Sequence, residues 1–177
     1  MTEFMKFNKI ARFSREVIIT EKIDGTNAQI YIGEDGEFLT GSRNRWITPD
    51  DDNFGFSAWA HEHKDELMEL GPGHHFGEWW GCGIQRRYGL DHKRFSLFNI
   101  KRWSDPEVRP DCCHVVPILA TGPMEDETIA GAMLGLRCDG STASPGFDNP
   151  EGIIIYHTAS GTLFKKTFEK DESGKEW

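Results

Sequence analysis

The sequence predicts an α+β domain dominated by antiparallel strands, and three observations carry that expectation. Residues 28–32 alternate apolar and polar side chains before an Asp35-Gly36 turn signal and a returning run at 37–40. A second hairpin pairs 152–156 with 162–168 across Ser160-Gly161. Helices are expected only over 56–70, where apolar residues recur at helical spacing, and over 125–136, within 177 residues that carry no repeat, interdomain linker or low-complexity block.

In chain order, residues 16–23 form the first expected strand, with β-branched bulk from Val17, Ile18 and Ile19. Across 56–70, Phe56, Ala60, Leu67 and Leu70 recur at helical spacing among charges, and Gly71-Pro72-Gly73 ends that helix. Residues 75–80 and 95–100 read as strands, 105–113 as a loop and 115–119 as a short strand. The helix expected over 125–136 has acids in its first turn, which suits the positive end of its dipole. Gly, Ser, Pro and Asp crowd 139–150 and mark a loop. The domain is expected to span 1–168, with 169–177 a charged tail.

Composition narrows the class. Hydrophobic residues at 37%, with six Trp and twelve Phe, exclude a disordered chain. No apolar run reaches membrane-spanning length, and the stretch from Met1 to Lys9 lacks the apolar core of a signal peptide. The expected address is the cytoplasm, with no membrane partner. Cys82, Cys112, Cys113 and Cys138 show no paired spacing, so thiols in a reducing compartment are expected rather than disulfides. Zinc on Cys112, Cys113, His114 and Cys138 is disfavoured, because adjacent cysteines lack the usual gap of a zinc knuckle. A net charge of −9 opposes wholesale nucleic-acid binding. Basic pairs nonetheless gather at Arg43/Arg45, Arg86/Arg87, Lys93/Arg94, Lys101/Arg102 and Lys165/Lys166, and most such pairs are solvated surface.

Chemistry concentrates on Lys22-Ile23-Asp24-Gly25-Thr26-Asn27. Alone, Lys-x-Asp-Gly is an ordinary turn with a solvated ammonium. Five later segments change that: Gly41-Ser42-Arg43-Asn44-Arg45, Phe76-Gly77-Glu78-Trp79-Trp80-Gly81, Phe95-Ser96-Leu97-Phe98-Asn99-Ile100, Glu151-Gly152-Ile153-Ile154-Ile155-Tyr156 and Leu163-Phe164-Lys165-Lys166. In this order they resemble the motifs of the covalent nucleotidyltransferase superfamily of RNA ligases, DNA ligases and mRNA-capping enzymes, over Glu16 to about Phe168. Asn27 stands where DNA ligases carry arginine, which makes the chain similar to RNA ligase 2-type enzymes. The resemblance implies an antiparallel-sheet, ATP-grasp-like adenylylation domain.

It also implies roles. Lys22 would attack the α-phosphate of ATP and carry AMP, which requires a neutral amine that desolvation and nearby cations favour. Lys165 and Lys166 would offset charge on the phosphoryl oxygens. Glu78 would accept from the ribose, Asn27 and Arg43 would face the nucleotide, and Phe98 would stack on adenine. The backbone of Glu21 and Ile23 would read the adenine edge. Glu151 would help hold Mg²⁺ or Mn²⁺, for which carboxylate, phosphate and water are suitable ligands; Asp24 would assist or simply shape the turn. The RNA partner would present a 5′-phosphate and a 3′-OH.

The chain departs from the family pattern twice. Relatives alternate the lysines of the last motif, whereas Lys165 and Lys166 are adjacent and a strand points them to opposite faces; Lys165 is favoured by its spacing from Glu151. No OB-fold or helical module is evident after Lys166, so a minimal ligase, an adenylylation-only enzyme, or one completed by a partner protein or homodimer is expected. DNA joining and GTP-dependent capping are rivals within the class. A catalytically silent nucleotide- or RNA-binding module is the rival from another class, and it has no need of an intact nucleophile.

Overall fold

The computed structural model describes residues 2–169 and 171. The strands among them form two sheets. One has the order β10 (Thr162–Thr167), β9 (Gly152–His157), β1 (Glu16–Lys22), β8 (Ile118–Pro123). The other runs β4 (Trp46–Ile47), β3 (Phe38–Ser42), β2 (Thr26–Ile32), β5 (Gly73–Gly81), β6 (Lys93–Leu97), β7 (Cys113–Val115). Every pairing is antiparallel except β6 with β7. Both expected hairpins are present, and the first begins two residues early, at Thr26.

Each sheet buries one face under helix. Val17, Ile19, Ile153 and Ile155 pack with Ala132 and Leu136 of α4 (Asp126–Asp139). The larger core lies under α1 (Phe56–Glu62) and α2 (Lys64–Leu67), where Ile30, Phe56, Leu67, Leu70, Trp79 and Phe95 are buried. Asp52 starts α1 by accepting from the N–H groups of Ser57 and Ala58 at 2.8 and 2.9 Å. Phe56 sits 5.1 Å from Phe95 and 5.5 Å from Trp79, ring to ring, with no exposure. Phe56→Ala is therefore expected to destabilise the fold by about 3–5 kcal/mol in urea unfolding; a loss below about 1 kcal/mol would show that this aromatic cluster does not organise the core.

Three sequence expectations need correction. The helix over 56–70 is broken: His63, at φ −97° and ψ 19°, separates α1 from α2, and a 3₁₀ turn at Met68–Leu70 follows. The strand over 95–100 stops at Leu97, because Asn99 leaves extended geometry and its side chain accepts from Arg102 N at 3.2 Å to cap α3 (Ile100–Trp103). The strand over 115–119 is two strands in different sheets. Pro117, with no N–H for a ladder, carries the chain across, and its carbonyl accepts from Glu21 N at 3.0 Å.

A third cluster, Ile23, Trp80, Tyr88 and Val116, packs around the segment that follows β1 and the inner end of β5. Residues 139–150, expected as loop, are tightly held there: Ser141 and Ser144 are buried, and Ser144 Oγ donates to Tyr88 O at 2.8 Å. Among the described residues before β1 there is neither helix nor strand, and Phe4, Met5, Phe7, Ile10 and Phe13 are exposed. Of the expected tail, only Glu169 and Asp171 fall within the described residues.

The cysteines stand free. Cys112 meets His63 and Glu66 rather than Cys138, which is exposed on α4; the ligand atoms of His63, Glu66 and Cys112 lie within 4.8 Å of one another. Among the described residues no helix is long and apolar enough to cross a membrane.

Candidate active site

β1, an inner strand of its sheet, ends at Lys22, and the chain then turns over β5 before entering β2. Gly25 makes that turn possible, since a Cβ there would collide with the Trp79 carbonyl and lie 2.7 Å from Trp80 Cβ. The bare backbone places Gly25 N 3.1 Å from the Glu78 carboxylate, which accepts its hydrogen bond. Glu78 also accepts from Asn27 Nδ2 at 3.2 Å, and Asn27 Oδ1 accepts from Arg43 Nε at 2.6 Å. Asn27 and Glu78 are register partners on β2 and β5, so their meeting follows directly from strand pairing.

Lys22 Nζ lies 2.5 Å from Glu151 Oε2, with both side chains about one-fifth exposed. Glu151 precedes β9, whose Gly152 is the partner of Lys22. Burial pushes the Glu78 carboxyl up to about 7, against the pull of Lys22, the Gly25 N–H and Arg43, with Glu151 adding to the rise. Two carboxylates and one ammonium thus converge where the sheets meet, and the ammonium pairs with Glu151.

The register divides the two late lysines. Lys165 pairs with Ile154, which pairs with Thr20, and this row shares the face of Lys22. Two residues and two strands separate the Cα atoms of Lys165 and Lys22, roughly 12 Å by strand geometry. Lys166 pairs with Ile153, on the face covered by α4, and its Nζ bonds Asp171 at 3.1 Å. The register thus turns Lys166 to the face opposite Lys22.

Glu21 N donates to Pro117 O at 3.0 Å, which leaves its carbonyl as the backbone group that a base edge could meet. Its buried carboxylate accepts from Ser141 Oγ at 2.6 Å and Ala143 N at 2.8 Å, and burial pushes its proton affinity up despite those bonds. Glu21 pins the 139–150 segment beside Lys22. Ile23 is buried among Trp80, Tyr88 and Val116. Phe98 is 41% exposed just past β6, its N–H bonded to Phe76 O at 2.9 Å.

The model matched by residues 15–168 is that of the RNA ligase family, described as RNA ligase. The chain belongs to the RNA ligase family. No curated protein matches it in sequence. Solved structures of a Naegleria gruberi RNA ligase share the fold of this RNA ligase-family chain. A form with ATP and manganese is 21% identical, covering 87% of this chain and 50% of that one at a TM-score of 0.65. A form with AMP and manganese is 20% identical, covering 88% and 50% at 0.66. A form with pyrophosphate is 20% identical, covering 91% and 53% at 0.62. The chain spans about half the length of these relatives.

Support around the RNA ligase motif came from residues the sequence did not single out for it. Asp24 accepts from Arg86 Nε at 3.0 Å, and this pairing favours turn-shaping over metal-holding for Asp24. Arg86 also donates to Asn149 O at 3.3 Å, one residue before the segment that carries Glu151 continues through Pro150. Tyr88 Oη accepts from Asp24 N at 2.8 Å. Gln85, Arg87 and Tyr88 all take positive φ, at 42°, 61° and 52°, a conformation that costs non-glycine residues on the order of 1–3 kcal/mol each. That strained loop wraps the turn that follows Lys22. Its sequence, Ile84-Gln85-Arg86-Arg87-Tyr88-Gly89, carries no signal for this beyond one glycine.

Proposed function

We propose that this domain is an ATP-dependent RNA ligase that works through a covalent Lys22–AMP. One observation carries the reading most: in a chain of the RNA ligase family, Lys22 Nζ is held 2.5 Å from Glu151 with the Glu78 carboxylate close enough to feel its charge. Glu151 is the nearest group to take the proton that the ammonium must lose. The freed lone pair attacks the α-phosphorus of ATP, the N–P bond forms, and the bond to the bridging oxygen breaks to release pyrophosphate. An oxygen of the RNA 5′-phosphate then attacks the same phosphorus and breaks the N–P bond, and the lysine regains its proton. Finally the 3′-OH attacks the 5′-phosphorus, loses its proton, and expels AMP.

The chain's own groups divide this work. Glu78 accepts from a ribose hydroxyl, Phe98 offers a ring to adenine, and Ile23 offers backbone at the base edge. Arg43 and Asn27 face the nucleotide, and Lys165 draws charge from the phosphates across the Lys22 face. Glu151, part-exposed and offering hard oxygens, fits Mg²⁺ or Mn²⁺ shared with phosphate and water, and such an ion supplies charge neutralisation at the phosphoryl oxygens. The Naegleria gruberi relatives hold ATP or AMP with manganese, which supports the same use here. A partner protein or homodimer would add grip on the polynucleotide, and the cytoplasm is the proposed site of action, in RNA repair.

Incubation with α-labelled ATP and Mg²⁺ should leave an acid-labile label on the protein. A 5′-phosphorylated RNA offered with a 3′-OH strand should then be joined, with joining followed across oligomer fractions. GTP in place of ATP, or better joining of nicked DNA than RNA, would move the reading to capping or DNA ligation. ATP binding without any covalent label would leave only a nucleotide-binding module.

A further inference from the structure

We infer that the open face of the six-stranded sheet is a stacking platform for single-stranded RNA, formed by Trp46, Tyr31, His74 and Phe76 and leading away from the Asn27–Glu78 pocket. The inference rests on the ligase reading only for the nature of the strand. Register places Asn27 opposite Glu78, Gln29 opposite Phe76 and Tyr31 opposite His74, all on one side of the sheet. Gly41 pairs with Gln29 and Trp46 with Gly41, which brings Trp46 to the same side. The opposite side of these strands carries the core residues Ala28, Ile30 and Trp79. A solvent-facing side of an antiparallel sheet is ordinarily polar.

Here it is a field of rings instead. Phe76 and His74 lie 5.9 Å apart with planes 8° from parallel, His74 and Tyr31 4.7 Å apart, Tyr31 and Trp46 6.2 Å apart. Phe76 is 54% exposed and Trp46 46%. The indole is held in place: a Cβ on Gly41 would come within 3.1 Å of its Cε3, so the missing side chain lets Trp46 lie across the neighbouring strand. Along β5, Trp80 and Glu78 are buried while Phe76 and His74 are open, so the platform starts where the pocket ends. Three rows from Glu78 to His74 span roughly 14 Å. The acidic tip Glu34, Asp35 and Glu37 lies beyond Ile32, past the outer row.

Chemistry selects the occupant. Open π-faces in series take unstacked bases of any sequence, whereas a paired duplex keeps its base faces to itself. Cations stand beside the rings for the phosphates: Arg43 is exposed on Asn27, and Arg45 adjoins Trp46, partly offset by its bond to Asp51. The face is also continuous with the nucleotide pocket through the Phe98 N–Phe76 O bond, so a strand whose end reaches Lys22 would cross it.

The test uses the whole chain and a 3′-labelled, 5′-phosphorylated 12-nucleotide single-stranded RNA read by fluorescence anisotropy. Phe76→Ala and Trp46→Ala should each weaken binding about five- to fiftyfold, and Phe76→Trp should restore it. An abasic ribose-phosphate strand of the same length should bind weakly and no longer distinguish the variants from the parent. Thermal melting and Lys22 labelling by ATP should be unchanged. Unaltered RNA affinity in both variants overturns the platform, as does an equal loss on fully paired RNA. A changed oligomeric state with unchanged RNA affinity overturns it in favour of a protein interface. RNA binding that depends on Phe76 and Trp46 in a chain that never takes up AMP would uphold the platform and sink the ligase reading instead.

Discussion

Lys22→Ala is expected to abolish protein-bound AMP, with the rate of label uptake falling on the order of a thousandfold or more. The lysine sits at the end of β1 with its amine on Glu151, and β9 holds that carboxylate in register. Among the described residues Lys165 is the other lysine on that face, but it stands two residues and two strands away, too far to enter the same line of attack. Thermal melting of the variant separates loss of chemistry from loss of fold, because removing Lys22 leaves the mostly buried Glu151 carboxylate without its partner. The same variant supplied with pre-adenylylated RNA should still seal, since the AMP already sits on the strand and no lysine nucleophile is required. Joining lost with both RNA forms would mean that Lys22 acts in the last step as well. Label retained by Lys22→Ala would place the nucleophile elsewhere.

How much of this was legible in the sequence depends on the kind of contact. Strand pairs announce themselves by alternation and turn residues, so both hairpins were foreseen, and so was the division of Lys165 from Lys166, which needs only the two-residue period. Breaks were harder. The kink at His63 keeps the apolar period of a single helix, and only backbone geometry distinguishes the two cases. Pro117 was visible as a residue that cannot join a ladder, yet nothing local says that the chain changes sheets there. The site divides in the same way. Lys22, Glu78 and Glu151 could be picked out because their segments recur as a set in one order. The buried bond from Ser141 to Glu21 spans 120 positions, and the grip of Arg86 on Asp24 spans 62. Both partners in each are common polar residues in unremarkable company, so pairing them requires the fold.

Glu78→Gln should stabilise the protein at alkaline pH while impairing its use of ATP. An ordinary glutamate loses its proton near 4.5, whereas Glu78 in the fold holds it up to about 7, chiefly because burial disfavours the charge. Below the lower value the carboxyl is neutral in both folded and unfolded chains, and nothing is lost. Between the two values the folded chain keeps a proton that the unfolded chain has released, so stability falls as pH rises. Above about 7 the full penalty applies, up to about 3 kcal/mol at 1.36 kcal/mol per unit. Glutamine keeps an acceptor for Gly25 N but carries no charge to bury. Chemical unfolding of parent and variant should therefore diverge from pH 5 to pH 9, with the variant the more stable at the upper end; parallel curves would mean that Glu78 is not the titrating group. Label uptake on Lys22 should move the other way at pH 8, by about ten- to a hundredfold, because the acceptor proposed for a ribose hydroxyl has lost its charge. An ionised Glu78 is a burden on the fold that the Gly25 and Asn27 bonds only partly offset, and binding a hydroxyl-bearing ligand is what would make that burden useful.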